Sequence, residues 1–223
     1  MEHNLRYENK MVFSALRLDE VRSWVYTHSD AFRVAYPPRQ VNNIYFDTHE
    51  RSLMAEHANG VANREKFRFR WYGESWLTRG GQIEIKKKIG RLGYKTTQPI
   101  KNTIDISQLN WREIIHLLKE ESSEEFAFLL DNLTPTIINQ YQREYYESAD
   151  KKIRVTLDYD MRAFAQSFGF SPNITFPQPL LNNVIIEMKA AMKEHQRMAD
   201  SIAEFPLRCV QNSKYLNAME YAV

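Results

Sequence analysis

Lysine and arginine recur at alternate positions in several segments of this 223-residue chain, and that spacing is what could do chemistry. From Arg64 onward, Arg64, Lys66, Arg68, Arg70 and Tyr72 take the even positions, while Phe67, Phe69 and Trp71 take odd ones. Alternate side chains of a strand point to opposite faces, so one face is basic and the other aromatic. The theme repeats. Glu84, Lys86 and Lys88 oppose Ile83 and Ile85, and a turn at Gly90 to Gly93 leads into Tyr94 to Thr97 with Lys95. Arg143 shares a face with Tyr141 and Tyr145; Arg154, Thr156 and Asp158 oppose Ile153, Val155 and Leu157. Glu187 and Lys189 oppose Val184, Ile186 and Met188, and the first strand carries Arg6, Glu8 and Lys10. With Lys214 added, the cations of these faces clearly outnumber the carboxylates Glu8, Glu84, Asp158 and Glu187.

Guanidinium groups match phosphate oxygens with paired donors and lysines act as point charges, so such faces suit a polyanion whose charge is spread along its length. Polyphosphate or a nucleoside triphosphate fits that description. Glu187 and Glu8, set in a positive field, are the candidates to hold Mg²⁺ or Mn²⁺ bridging phosphate oxygens. Two plainer arrangements stay open at this point. The basic faces could be solvated faces of an open sheet with helices on one side, and Glu84 with Lys86 or Glu187 with Lys189 could be simple ion pairs.

The elements that must position these residues follow from the remaining pattern. Leu18 to His28 places Val21, Trp24, Val25 and His28 at helical spacing, with Asp19 and Glu20 complementing the dipole of a helix start. His49 to His57 predicts a short helix closed by Asn59-Gly60, and Ser107 opens a helical stretch that breaks near Ser122-Ser123 and runs to about Leu133. Ser171 to Pro179 reads as a loop between strands. If helices cover the apolar strand faces, the ionic faces point inward once the sheet closes on itself. An empty, dry interior of like charges would be strongly destabilising, so it must hold water and anions. Tyr141, Tyr145 and Tyr146 read as core and rim packing, with Tyr141 on the inward parity.

Length and composition bound this reading. One domain over residues 1–223 is expected, with 43% hydrophobic residues and no repeat or linker. The net charge of +2 argues against nucleic-acid binding by bulk electrostatics. A single cysteine, Cys209, excludes an intramolecular disulfide or thiolate cluster and fits a reducing, cytoplasmic setting; it reads as a packed apolar residue. The polar start of the chain is unlike a signal peptide, and no run approaches the ~18 apolar residues of a membrane span. The six histidines show no ligand spacing.

The segments R-Y-E-N-K (Arg6 to Lys10), Y-F-D-T (Tyr45 to Thr48), R-E-K-F-R-F-R (Arg64 to Arg70), E-I-K-K-K (Glu84 to Lys88), Y-Q-R-E-Y (Tyr141 to Tyr145), R-V-T-L-D (Arg154 to Asp158), I-I-E-M-K (Ile185 to Lys189) and S-K-Y (Ser213 to Tyr215) occur in the order seen in VTC domains. Over nearly its whole length the chain resembles these catalytic polyphosphate-polymerase domains of the vacuolar transporter chaperone family, within the triphosphate tunnel metalloenzyme superfamily. The resemblance implies an α+β fold: an antiparallel eight-stranded tunnel β-barrel with helices packed outside. It also implies a metal-dependent phosphotransferase that moves the terminal phosphoryl group of a nucleoside triphosphate onto polyphosphate. By motif matching, Lys10, Arg68, Arg70, Lys86, Arg143, Arg154 and Lys214 would be catalytic. Arg6, Lys66, Lys88, Lys95 and Lys189 would bind phosphate with the hydroxyls of Tyr141 and Ser213, and Glu187 with Glu8 would hold the metal. Arg6 stands where related triphosphatases and cyclases carry the first Glu of E-x-E-x-K, which favours the VTC branch. Without the SPX domain or membrane segments of the eukaryotic proteins, the sequence resembles the stand-alone bacterial type. A tri- or polyphosphate hydrolase, a non-catalytic polyanion binder and a membrane-protein partner stay open.

Overall fold

A computed structural model describes residues 6–90, 92–166, 169–206, 208–210, 213, 214 and 217. Strand β1 (Arg6–Ser14) leads through a short 3₁₀ turn to α1 (Leu18–Thr27), then β2 (Arg33–Asp47), α2 (Ser52–Ala58), β3 (Asn63–Tyr72), β4 (Leu77–Ile89) and β5 (Leu92–Asp105). Helices α3 (Trp111–Glu120) and α4 (Glu124–Asn132) precede β6 (Thr134–Glu147), β7 (Ile153–Ala165), β8 (Asn183–Ala191) and α5 (His195–Ala203). The strands form one antiparallel eight-stranded sheet in the order β1-β8-β7-β6-β2-β3-β4-β5. The two outermost strands, β1 and β5, come within 8 Å of each other Cα to Cα. Glu8 on β1 also reaches Lys86 on β4 at 2.8 Å, so the sheet curls into the expected barrel, although no ladder among the described residues joins its edges.

Period-two patterning decides which way each strand faces. The odd residues Phe67, Phe69 and Trp71 of β3 and Ile83 and Ile85 of β4 pack outward under Ile114 and Leu118 of α3 and Phe126 and Leu130 of α4. Met11, Val155, Leu157, Ile186 and Met188 pack outward beneath Val21 and Val25 of α1 and Met198 of α5. With both outer faces covered by helices, the opposite parity has only the barrel axis to face. A small third cluster, Tyr45, Ile137 and Ala163 with Met54 and Leu180, makes part of that inner lining apolar.

Three local features differ from the sequence expectation. Helix α3 starts at Asn110, not Ser107: Asn110 Oδ1 accepts from Glu113 N at 3.1 Å while Glu113 Oε2 accepts from Asn110 N at 2.8 Å. This capping box outcompetes Ser107, whose hydroxyl is held by Asp105 in the preceding turn. Helix α5 was not read from the sequence. Cys209 is exposed where a packed residue was expected. The 14-residue stretch 169–182 is irregular, as its prolines imply. No helix among the described residues is long and apolar enough to cross a membrane.

Candidate functional site

Strand β3 delivers Arg68 and Arg70 inward, and both meet Glu84 of β4. Arg68 lies 2.5 Å from the Glu84 carboxylate and donates a second bond to Tyr45 Oη at 3.1 Å. Arg70 is 3.9 Å from Glu84 and donates to Asn43 Oδ1 at 2.8 Å and Tyr141 Oη at 3.2 Å. Lys95 reaches Glu84 from β5 at 2.9 Å. Burial alone would raise the Glu84 pKa, yet Arg68, Arg70 and Lys95 together outweigh it and hold the carboxyl well below its ordinary range. Across the barrel, Arg143 of β6 makes a two-pronged pair with Asp158 of β7 at 2.5 and 2.7 Å, and Lys214 reaches the same carboxylate at 2.5 Å. Asp158 is likewise pushed up by burial and, more strongly, down by Arg143 and Lys214.

A second group gathers around Lys10 of β1. Glu187 of β8 lies 3.0 Å from Lys189, 3.5 Å from Arg143 and 3.7 Å from Lys10. Glu8 lies 3.3 Å from Lys10 and 2.8 Å from Lys86. Next to it a cavity of about 380 Å³ is lined by Arg64, Lys66, Lys86 and Lys88, with His57, Cys209 and Ser213 at its sides. Lys66 donates to Ser213 Oγ at 2.6 Å. Its pKa is depressed well below the lysine range, first by burial and then by Lys10, Lys86, Arg68 and Arg64. Burial, Lys66 and Arg64 also lower His57 to about 3, so its ring is neutral, and its Nδ1 accepts from Arg64 Nε at 3.0 Å. Val210 N donates to Lys10 O at 2.8 Å, which ties that residue to β1 beside this cavity.

The arrangement is a corridor of cations in which buried carboxylates are each shared by several partners. A model of the VTC domain family matches residues 5–223, almost the whole sequence. The chain belongs to the VTC domain family. A search of the curated proteins finds no match. Among solved structures it is similar to a candidate adenylate cyclase from Vibrio parahaemolyticus (12% identity, 94% of this chain and 95% of that one, TM-score 0.53). It is also similar to one from Bacillus halodurans (15%, 96% of each, 0.54). A third is the candidate adenylyl cyclase from Hippeastrum described as having a dominant triphosphatase activity (14%, 97% and 95%, 0.55). At these identities the likeness is one of fold.

In this VTC domain the sequence-selected residues fall into three groups. Lys10, Arg68, Arg70, Tyr141, Arg143, Lys214 and Glu187 meet in the interior, Tyr141 being 2% exposed with Arg143 5.2 Å from its ring. Burial pushes the Tyr141 phenol up, while Arg143 and Arg70 draw it down and prevail. Glu8, Lys66, Lys86, Lys88, Lys189 and Ser213 stand around the lysine-rich cavity or beside Glu187. Arg6, Lys95 and Arg154 are exposed; Lys95 still holds Glu84, whereas Arg154 makes no ion pair among the described residues. Tyr215 lies outside the described residues. Glu84 pairs with Arg68 and Lys95, not with Lys86 as the plain ion-pair reading had it. Sequence reasoning missed Asn43, which donates to Asn139 Oδ1 at 2.7 Å and orients Arg70, and Arg39, directly across the ladder from Arg143. Their parity in β2 was the available signal, hidden because Pro37-Pro38 interrupts the alternation where β2 bulges.

The family implies a divalent metal, and the donors can be tested against it. No group of three or more His, Cys, Asp or Glu among the described residues could hold an ion unaided. Glu8 and Glu187, however, both approach Lys10, at 3.3 and 3.7 Å from its Nζ, so the two carboxylates flank one cation position. One or two carboxylates completed by phosphate oxygens and water is the usual set for Mg²⁺ or Mn²⁺, so the pair fits. A larger cavity, about 1080 Å³, lies outside the barrel against α3, α4 and the β2–α2 connection, and its lining includes none of the inward-facing cations.

Proposed function

We propose that this VTC domain, one domain over residues 1–223 and acting in the cytoplasm, transfers the terminal phosphoryl group of a nucleoside triphosphate onto a polyphosphate chain. The observation that carries this reading is the linear run of inward cations. Arg64, Lys66, Arg68 and Arg70 line one wall at every second residue, a ladder about 20 Å long at the rise of a strand. That length suits several phosphates in a row better than a single one. Arg143 and Lys214 face the same axis and join Arg68 and Arg70 in gripping the donor phosphates, while Lys10, Lys66, Lys86 and Lys88 hold the incoming chain. Transfer between two phosphates asks for alignment and charge stabilisation more than for a protein nucleophile. Glu8 and Glu187 would hold Mg²⁺ or Mn²⁺, which supplies neutralisation of charge on the transferring group. Tyr141 and Ser213 position phosphate oxygens through their hydroxyls.

Incubating the purified protein with ATP and Mn²⁺ tests the reading: lengthening polymer is expected. Phosphate release without polymer would replace it with a hydrolase, the reading favoured by the triphosphatase activity of the Hippeastrum protein. Metal-independent binding with no turnover would reduce it to a polyanion binder.

A further inference from the structure

The two ends of the interior differ in chemistry. Where Lys66, Lys86 and Lys88 gather, the lining is of ammonium groups. Where β3 ends, the inward parity changes from arginine to ring: Tyr72 follows Arg70, and Tyr145 follows Arg143. Arg39 of β2 stands between them, its guanidinium carbon 3.9 Å from the Tyr72 ring centroid and 5.0 Å from that of Tyr145, with Nε donating to Tyr145 Oη at 3.1 Å. Tyr36 meets Tyr145 edge to face at 5.8 Å. This cluster is not core. Tyr72 is 42% and Tyr36 56% exposed, and Arg39, also exposed, has no carboxylate partner among the described residues. Arg39 covers one face of Tyr72, and among the described residues its Nη groups have no hydrogen-bond acceptor, so this guanidinium and the exposed part of the ring remain available at the surface.

We propose that Arg39, Tyr72, Tyr145 and Tyr36 form a nucleoside-recognition subsite at this mouth, in which a planar base stacks on the exposed rings and Arg39 donates to acceptors on its edge. The inference rests on the triphosphate reading of the interior. Tyr72 lies two residues beyond Arg70, about 7 Å along the strand, an offset comparable to that between a base and its first phosphate. The subsite makes the preferred donor a nucleoside triphosphate rather than inorganic triphosphate, although the inorganic anion carries at least as much charge and would bind tighter if charge alone decided.

Calorimetric titration of the full chain with adenylyl imidodiphosphate and with inorganic triphosphate, both with chelator present so that nothing turns over, tests it. The nucleotide analogue is expected to bind about tenfold tighter. Tyr72→Leu should bring the two ligands to within about twofold while leaving inorganic triphosphate unchanged, and Tyr72→Phe should keep the preference. Equal wild-type affinities, or a preference that survives Tyr72→Leu, would overturn the subsite and leave the triphosphate reading standing. Failure of both ligands to bind would sink that reading and the subsite with it.

Discussion

Glu187 is within ion-pair reach of Lys189, Arg143 and Lys10 together, so removing its charge has two opposite effects. Glu187→Gln removes one of the two carboxylates proposed to hold the metal and also leaves three buried or half-buried cations short of a counter-charge. Triphosphate measured with chelator should therefore bind at least as tightly as to the wild type, while metal-dependent turnover falls by roughly 10²-fold. Calorimetry beside a Mn²⁺ titration of the rate separates the two effects; wild-type turnover in the variant would remove Glu187 from the metal site. Lys66 gives the complementary case. Its folded pKa is depressed by burial and by Lys10, Lys86, Arg68 and Arg64, so between that value and the ordinary lysine value the unfolded chain holds more protons. Stability from this group accordingly rises with pH through that window, and the repulsion is greatest below it. Lys66→Met should raise the melting temperature at neutral pH and weaken triphosphate. A polyanion that stabilises the ammonium raises the Lys66 pKa again, so binding in the same window should take up a proton. Calorimetry in buffers of different ionisation enthalpy reads that uptake, and a heat independent of buffer would contradict it.

At the scale of elements, strand parity was legible because an ionic face opposite an aromatic one survives any later choice of topology. Arg64 to Trp71 and Ile153 to Asp158 face as their alternation dictates. What was not legible depends on contacts between segments distant in sequence. Glu84 takes Arg68 from β3 and Lys95 from β5, partners set by strand order and register, which periodicity does not encode. Helix α5 went unread because its apolar positions are few, Met198 and Ile202 finding their place only against β8 and its neighbours. Two substitutions separate elements that merely cover the barrel from those that aim its cations. Asn110→Ala removes the α3 capping box and should cost about 1 kcal/mol in stability without changing triphosphate affinity. Gly81→Ala would place a Cβ 2.6 Å from the Arg70 carbonyl oxygen and 2.6 Å from the Phe69 ring. The required shift of β3 should cost about 1–3 kcal/mol and weaken triphosphate as well. Melting curves and titrations of both variants check the contrast, which fails if Gly81→Ala leaves affinity untouched.

For the whole molecule, a net charge of +2 conceals segregation of another kind: on the inward strand faces cations outnumber Glu8, Glu84, Asp158 and Glu187, while outer carboxylates such as Glu20 and Asp131 are matched by Arg17 and Lys119. Segregation makes the empty barrel strained by repulsion, and an anion that enters stabilises the folded state both by binding and by relieving that strain. At a concentration one hundred times its dissociation constant, triphosphate contributes about 2.7 kcal/mol, which for a chain of this size is a rise of about 5–10 °C in melting temperature. Chloride at matched ionic strength should give a smaller rise, because single charges screen the corridor without bridging its cations. Duplex DNA offers the same phosphates on a rod too wide to enter, so it should leave the melting temperature unchanged. Equal shifts from duplex DNA and triphosphate would mean that the arginines and lysines act from an accessible outer surface, whereas a shift confined to the slender anion places them around an enclosed axis.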